Sequence, residues 1–223
     1  MRPLVPILHL AAGHHGGQVA VLKQAENGHA RADLSKVPAD RLLSVMTRCV
    51  FNAGFNWKVI DAKWDGFEAA FEGFDPAKLA FFGEEMMDDL VSDTRIVRNG
   101  QKIKATLENA RMVAEIEQSE GGFGRFLATW PADDQVGLMH TLNTRGSRLG
   151  GATGQYFLRF CGWDAWITSR DVCAALVREG VLDKPVATSK RDLGKVQAAI
   201  NHWHAGSGLP RAAISRILAL SVG

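Results

Sequence analysis

The stretch RGSRLGGATGQYFLRFCGWDAWITSRDVCAALVRE, Arg145–Glu179, decides how the rest of the chain is read. It reads as the end of one helix, a turn carrying Gly150 and Gly151, a second helix over Gly154–Cys161, a loop with Trp163 and Trp166, and Asp171 opening a third helix. Without a Cβ, the two turn glycines let the backbone approach a ligand closely, and the helix behind them directs unpaired amides and a positive dipole end outward. Phosphate suits such a turn. Arg145 and Arg148 add cations on the same turn, the pattern of docking on a nucleic-acid backbone without reading its sequence. A plain helix connector with solvated arginines would carry the same residues, so the turn alone does not decide.

Outward from this stretch, apolar residues recur at helical spacing almost throughout, and no period-two run long enough for a strand appears. Pro38 precedes a helix over Ala39–Val50 with Leu42, Leu43, Met46 and Val50 on one face; Trp57–Trp64 continues after the linker Asn52–Asn56. Asp75-Pro76 pairs a capping carboxylate with a proline at the first helical position, opening a helix to about Phe82, and another covers Glu84–Ser92. Lys102–Gln118 is a long amphipathic helix through Ile103, Leu107, Ala110, Val113 and Ile116, stopped by Gly121-Gly122. Further helices are predicted at Phe123–Thr129, Asp133–Asn143, Asp171–Glu179, Ser189–Ala205 and Pro210–Leu220. The expected fold is all-α: one helical domain over 1–223, with 1–38 and 185–223 packed onto 39–180.

Composition narrows the function. With 223 residues, 46% of them hydrophobic, the chain can bury one sizeable core. Its apolar runs, such as Ala174–Val177, are far short of the roughly 20 residues that span a bilayer, so no membrane partner is expected. Met1–Ala12 is followed by His14, His15 and Gly16-Gly17 rather than a small-residue cleavage site, which argues against secretion. Cys49, Cys161 and Cys173 are odd in number and form no CxxC, as expected of reduced thiols in the cytoplasm. A net charge of +2 identifies no partner, so a claim of DNA binding rests on where the charges lie.

Several separated motifs, taken together, resemble the helix-hairpin-helix DNA glycosylases. Leu149-Gly150-Gly151, then Gly162-Trp163, then Ser169-Arg170-Asp171-Val172 resemble the hairpin, connecting loop and catalytic aspartate of that superfamily. Leu90–Arg111, LVSDTRIVRNGQKIKATLENAR, looks like the stretch that leads into its hairpin. Within the superfamily the chain is most similar to the 3-methyladenine DNA glycosylase I family, through AGFNWKVIDAKWDGFEAAFEGFDPAKLA at Ala53–Ala80 and the motif at Arg145–Gly162.

The resemblance implies a monomeric enzyme that binds double-stranded DNA containing a damaged base, extrudes it, and hydrolyses its bond to the sugar. Asp171 would stabilise the positive charge developing on the deoxyribose and orient a water. By its match to the family's AG-x-x-W motif, Trp57 would stack on the extruded base, with Cys49, Phe51 and Asn52 lining the approach. Arg145, Arg148, Gly150, Gly151 and Thr153 of the hairpin would hold the DNA, with Arg98 and Lys102 adding phosphate contacts. The residues also support blander roles: Asp171 as a helix cap, Trp57 and Phe51 as core, Arg98 and Lys102 as a solvated face.

Two departures from the family matter. Counting back from Trp57, the position of the acidic residue that reads the base holds Cys49, which puts strict 3-methyladenine specificity in question and leaves room for a catalytically silent DNA-binding protein. The family's terminal Cys/His zinc site lacks thiolates here, so no metal is expected, nor any other cofactor. Leu142–Cys161 contains no lysine to form a Schiff base, which points to a water-using, monofunctional reaction.

Overall fold

Short polar side chains and prolines set where the helices begin. Asp75 accepts hydrogen bonds from the backbone N–H of Ala77 (2.9 Å) and Lys78 (3.3 Å), Asn56 from that of Lys58 (3.0 Å), and Asn99 from that of Lys102 (3.1 Å). The computed structural model describes residues 2–26 and 33–223, so the N-terminal stretch 1–38 is described in part. All-α architecture is found, with no strand among the described residues. No helix among them is long and apolar enough to cross a membrane.

The chain groups into two units. One contains the segment ending at Trp130 together with Met139–Cys161. Its helices include Ala39–Asn52, Trp57–Ala62, Trp64–Ala70, Pro76–Leu79, Glu84–Ser92, Gly100–Glu120, Phe123–Thr129 and Gly151–Cys161. The helix read as continuous from Trp57 breaks at Lys63, whose ψ of 6° lies outside the helical range. Beyond the break, Gly66 passes so close to Arg95 that a Cβ there would stand 2.6 Å from its carbonyl oxygen. Trp64, Phe67, Phe71 and Phe74 form a stacked ladder with centroids 5.1–6.1 Å apart, and Phe51 meets Phe67 edge-on at 4.6 Å.

The Gly100–Glu120 helix buries Ile103, Leu107, Ala110, Val113 and Ile116, as its spacing predicts, and ends at Gly121 with φ +71°. It also buries Lys102, Thr106 and Asn109. Asn109 holds the glycine turn: its Oδ1 accepts from Ser147 N (2.7 Å) and its Nδ2 donates to Ser147 O (3.1 Å). The following helix starts at Gly151, three residues before the expected Gly154, and packs so tightly that a Cβ at Gly154 would stand 2.3 Å from Leu149 O.

The second unit contains the N-terminal residues, Pro131–Leu138 and Gly162–Gly223. Leu4–His14 and Gln18–Glu26 are helical, the first starting after Pro3 with no side-chain hydrogen bond at its cap. Their Leu4, Ile7, Ala11 and Val21 join Leu176, Ile200, Trp203, Ile214 and Ile217 in one apolar cluster. Polar pins fix the loops: Asp164 accepts from Arg211 N (3.0 Å) and Ala212 N (2.9 Å), and Glu179 accepts from Arg2 and Arg178.

Asn109→Ala removes both hydrogen bonds to Ser147 and strands the partly buried N–H and carbonyl of that residue. The expected loss is about 2–4 kcal/mol of unfolding free energy with an unchanged denaturant slope, measured by urea titration.

Candidate functional site

The Ala39–Asn52 helix presents Arg41, Ser44, Arg48 and Asn52 at three- and four-residue spacing, hence along one face. With Trp57, Asp61, Trp64, Glu68 and Phe160, these line a cavity of about 630 Å³. Its charges are paired. Arg41 makes a two-pronged contact with Glu68, Nη1 to Oε1 at 3.0 Å and Nη2 to Oε2 at 2.9 Å. Ser44 Oγ (2.8 Å) and Trp64 Nε1 (3.1 Å) also donate to Glu68 Oε1. Burial by itself would raise the Glu68 carboxyl, but the Arg41 guanidinium and the two neutral donors outweigh it and hold it below its ordinary value. Arg48 lies 4.3 Å over the Trp64 ring and 3.7 Å from Asp61.

Trp57 is 42% exposed, and its ring meets those of Tyr156 (5.7 Å) and Phe160 (5.6 Å) edge-on. Both partners belong to the helix that follows the glycine turn, so the cavity wall and the hairpin are joined through aromatic contacts. Asn52 is 4% exposed, and its Oδ1 has no hydrogen-bond partner. Cys49 and Phe51 lie elsewhere. Cys49 is buried and absent from the cavity lining; burial first, then the neighbouring Cys161, pushes its thiol up to about 12, so it is neutral near pH 7. Phe51 is fully buried against Phe67, and its carbonyl accepts from Lys102 Nζ at 2.9 Å.

Lys102 corrects the expectation of a phosphate contact. Its ammonium is buried, donating to Phe51 O and to Ala53 O (2.6 Å) and lying 4.3 Å over the Phe55 ring, because the helix start aims it at the carbonyl end of Ala39–Asn52. It pins the loop that leads to Trp57. Burial, with the charge of Arg148, lowers its pKa. Arg98, Arg145, Arg148, Gly150 and Gly151 are exposed and Thr153 is half-buried. Arg148 has φ +57° and donates to the Gln101 side-chain carbonyl, and Gly151 has φ +56°.

Residues 36–146 match the model of a family described as methyladenine glycosylase. This segment belongs to that family. The methyladenine glycosylase segment contains every lining residue of the cavity except Phe160. The chain is 37% identical over 75 residues to DNA-3-methyladenine glycosylase 1 of Escherichia coli K12, a match spanning 34% of this chain and 40% of that enzyme. A solved structure of 3-methyladenine DNA glycosylase I superposes with TM-score 0.51 at 25% identity, covering 57% of this chain and 81% of that one. A variant of 3-methyladenine DNA glycosylase I from Staphylococcus aureus gives 0.52 at 25% identity, with 56% and 78% covered.

Asp171 lies beyond the methyladenine glycosylase segment, in the other unit. It is exposed in the first turn of Arg170–Arg178, whose cap is Ser169, accepting from Val172 N at 3.3 Å. Sequence reading missed Arg41, Arg48, Asp61, Glu68 and Phe160. A signal existed for part of this set: Arg41, Ser44, Arg48 and Asn52 repeat at helical spacing on a polar stripe.

A carboxyl with a folded-state pKa below its unfolded value stabilises the fold above the unfolded value, and that contribution disappears as pH falls through the folded one. Wild-type stability should therefore decline as pH drops from about 4.5 downward. Glu68→Gln should be less stable than wild type at pH 7 and should lack that part of the decline, read from unfolding curves at a series of pH values; parallel declines would remove Glu68 as the source.

Proposed function

We propose that the protein is a monofunctional DNA glycosylase of base excision repair that releases a damaged purine such as 3-methyladenine. The observation that carries this reading is the half-open cavity within the methyladenine glycosylase segment, where Trp57 is braced by Tyr156 and Phe160 of the hairpin helix. An extruded base loses its stacking in the duplex and regains it on such an exposed indole. In this reading Arg145, Arg148, Arg98 and the amides at the start of the Gly151–Cys161 helix, with Gly150 and Thr153, meet phosphates of double-stranded DNA. They hold the duplex without specifying sequence.

Asp171 would face the positive charge on the sugar as the base departs and orient the attacking water. Water is the acceptor because Leu142–Cys161 has no lysine for covalent chemistry. The protein is expected to act in the cytoplasm as a monomer, without metal or cofactor. A second reading, a DNA-binding protein that no longer excises bases, is favoured by the neutral, buried Cys49 at the position where the family carries an acidic residue.

Release of free base from methylated duplex separates the two. Wild type should release base, and Asp171→Asn should do so about 100-fold more slowly with unchanged duplex affinity. Equal rates would remove Asp171 from the chemistry, and no release by wild type would favour the silent binder. Bulky replacement of Gly151, whose φ is positive, should weaken binding to damaged and undamaged duplex alike, checked by titration at fixed salt.

A further inference from the structure

A second hollow, of about 540 Å³, lies in the same unit and shares no lining residue with the cavity beside Trp57. The helix Glu84–Ser92 turns Met86, Asp89 and Leu90 toward it at three- and four-residue spacing, and Phe81 and Phe82 line it from the preceding turn. Leu90 is buried, Met86 is exposed, and Phe81 is 87% exposed. Phe81 does not sit on a loose end. Its N–H donates to Lys78 O at 3.1 Å, and Arg111 of the long helix donates to the carbonyls on either side of it, Ala80 O at 3.3 Å and Phe82 O at 3.1 Å. A large aromatic side chain is thus held out in water by a hydrogen-bonded turn, beside a hollow with further apolar surface.

Charge decides what fits there. The two cations that line the hollow are matched, Lys78 by Glu72 at 3.7 Å and Arg95 by Asp93 at 2.7 Å. The helix Glu84–Ser92 has no basic residue, and its exposed Glu84, Glu85, Asp88 and Asp89 have no ion-pair partner among the described residues. Glu84 and Glu85 occupy the first turn, where the helix dipole favours an anion. Asp88 and Asp89 stand four residues further on, a like-charge spacing that costs the helix stability. The apolar hollow therefore carries an uncompensated negative wall, which repels DNA phosphates and anionic lipid and attracts cations.

We propose that this hollow docks a partner protein through a short basic amphipathic helix, whose apolar face covers Phe81, Phe82 and Met86 while its lysines or arginines meet Glu84, Glu85, Asp88 and Asp89. The contact is small and its rim is charged, so binding is transient and weakens with salt. It is independent of the glycosylase reading, since no residue of the cavity or of the glycine turn takes part.

The test uses the intact chain and a synthetic peptide, acetylated and amidated, with leucines at helical spacing and lysines elsewhere. Its controls are the same sequence with glutamate for lysine and the same composition in scrambled order. Calorimetric titration should show the lysine peptide binding at least about tenfold more tightly than either control, with affinity falling as salt rises. Phe81→Ala, which removes an exposed side chain, should weaken that binding about tenfold, and so should the double charge reversal Asp88→Lys with Asp89→Lys. If one variant does not fold, the other carries the expectation. Absence of binding by wild type, equal binding of a control, or wild-type affinity in a folded variant overturns the proposal. Sedimentation that shows a wild-type dimer lost in Phe81→Ala also overturns it, by making a second copy of the chain the occupant.

Discussion

A polar side chain taken into a helix-packed core must find a partner, and on the Gly100–Glu120 helix two such side chains locate both the loop beside the cavity and the glycine turn. Lys102 and Asn109 lie roughly two turns apart. The first reaches the carbonyls that the Ala39–Asn52 helix leaves unused at its end, and so fixes the loop from which Trp57 projects. The second closes the turn before the hairpin helix through both atoms of its amide. Cavity wall and hairpin thus share one rigid reference, and the Trp57 contacts with Tyr156 and Phe160 tie them together again on the outside.

The cavity balances charge against charge and leaves aromatic surface of Trp57 and Phe160 exposed. Partly buried ion pairs such as Arg41–Glu68 recover little net stability once their desolvation is counted, so their value lies in fixed geometry. Arg41 spans from Glu68 to Gly73 O and keeps the aromatic ladder in register with the polar stripe of the neighbouring helix. Asn52, at the other end of that stripe, has a buried Oδ1 without a hydrogen-bond partner.

What the sequence disclosed follows from how local each signal is. The Asp75-Pro76 start and the Gly121 stop depend on neighbours within one or two turns, and each is found where the pattern puts it. The helices Leu4–His14 and Gln18–Glu26 draw on apolar partners far along the chain, and the first has no side-chain hydrogen bond at its cap, so little local signal marked them. Lys102 reads as a surface cation because a lysine side chain does not reveal whether carbonyls or water await its ammonium. Glu68 reads as ordinary helix surface because its partners Arg41 and Ser44 lie 27 and 24 residues away. The family position held by Cys49 was legible by counting, whereas its absence from the cavity lining depends on how the helix is rotated.

Arg148 has a left-handed backbone conformation that side chains with a Cβ seldom adopt. Glycine would relieve that strain and asparagine would tolerate it, yet the turn carries a guanidinium. Such a residue marks a trade between robustness and grip: selection for heat resistance alone would drift toward glycine at this position and shed a phosphate-seeking charge with it. A variant library of this chain sorted only for expression or melting temperature would therefore enrich well-folded molecules whose turn no longer carries that charge.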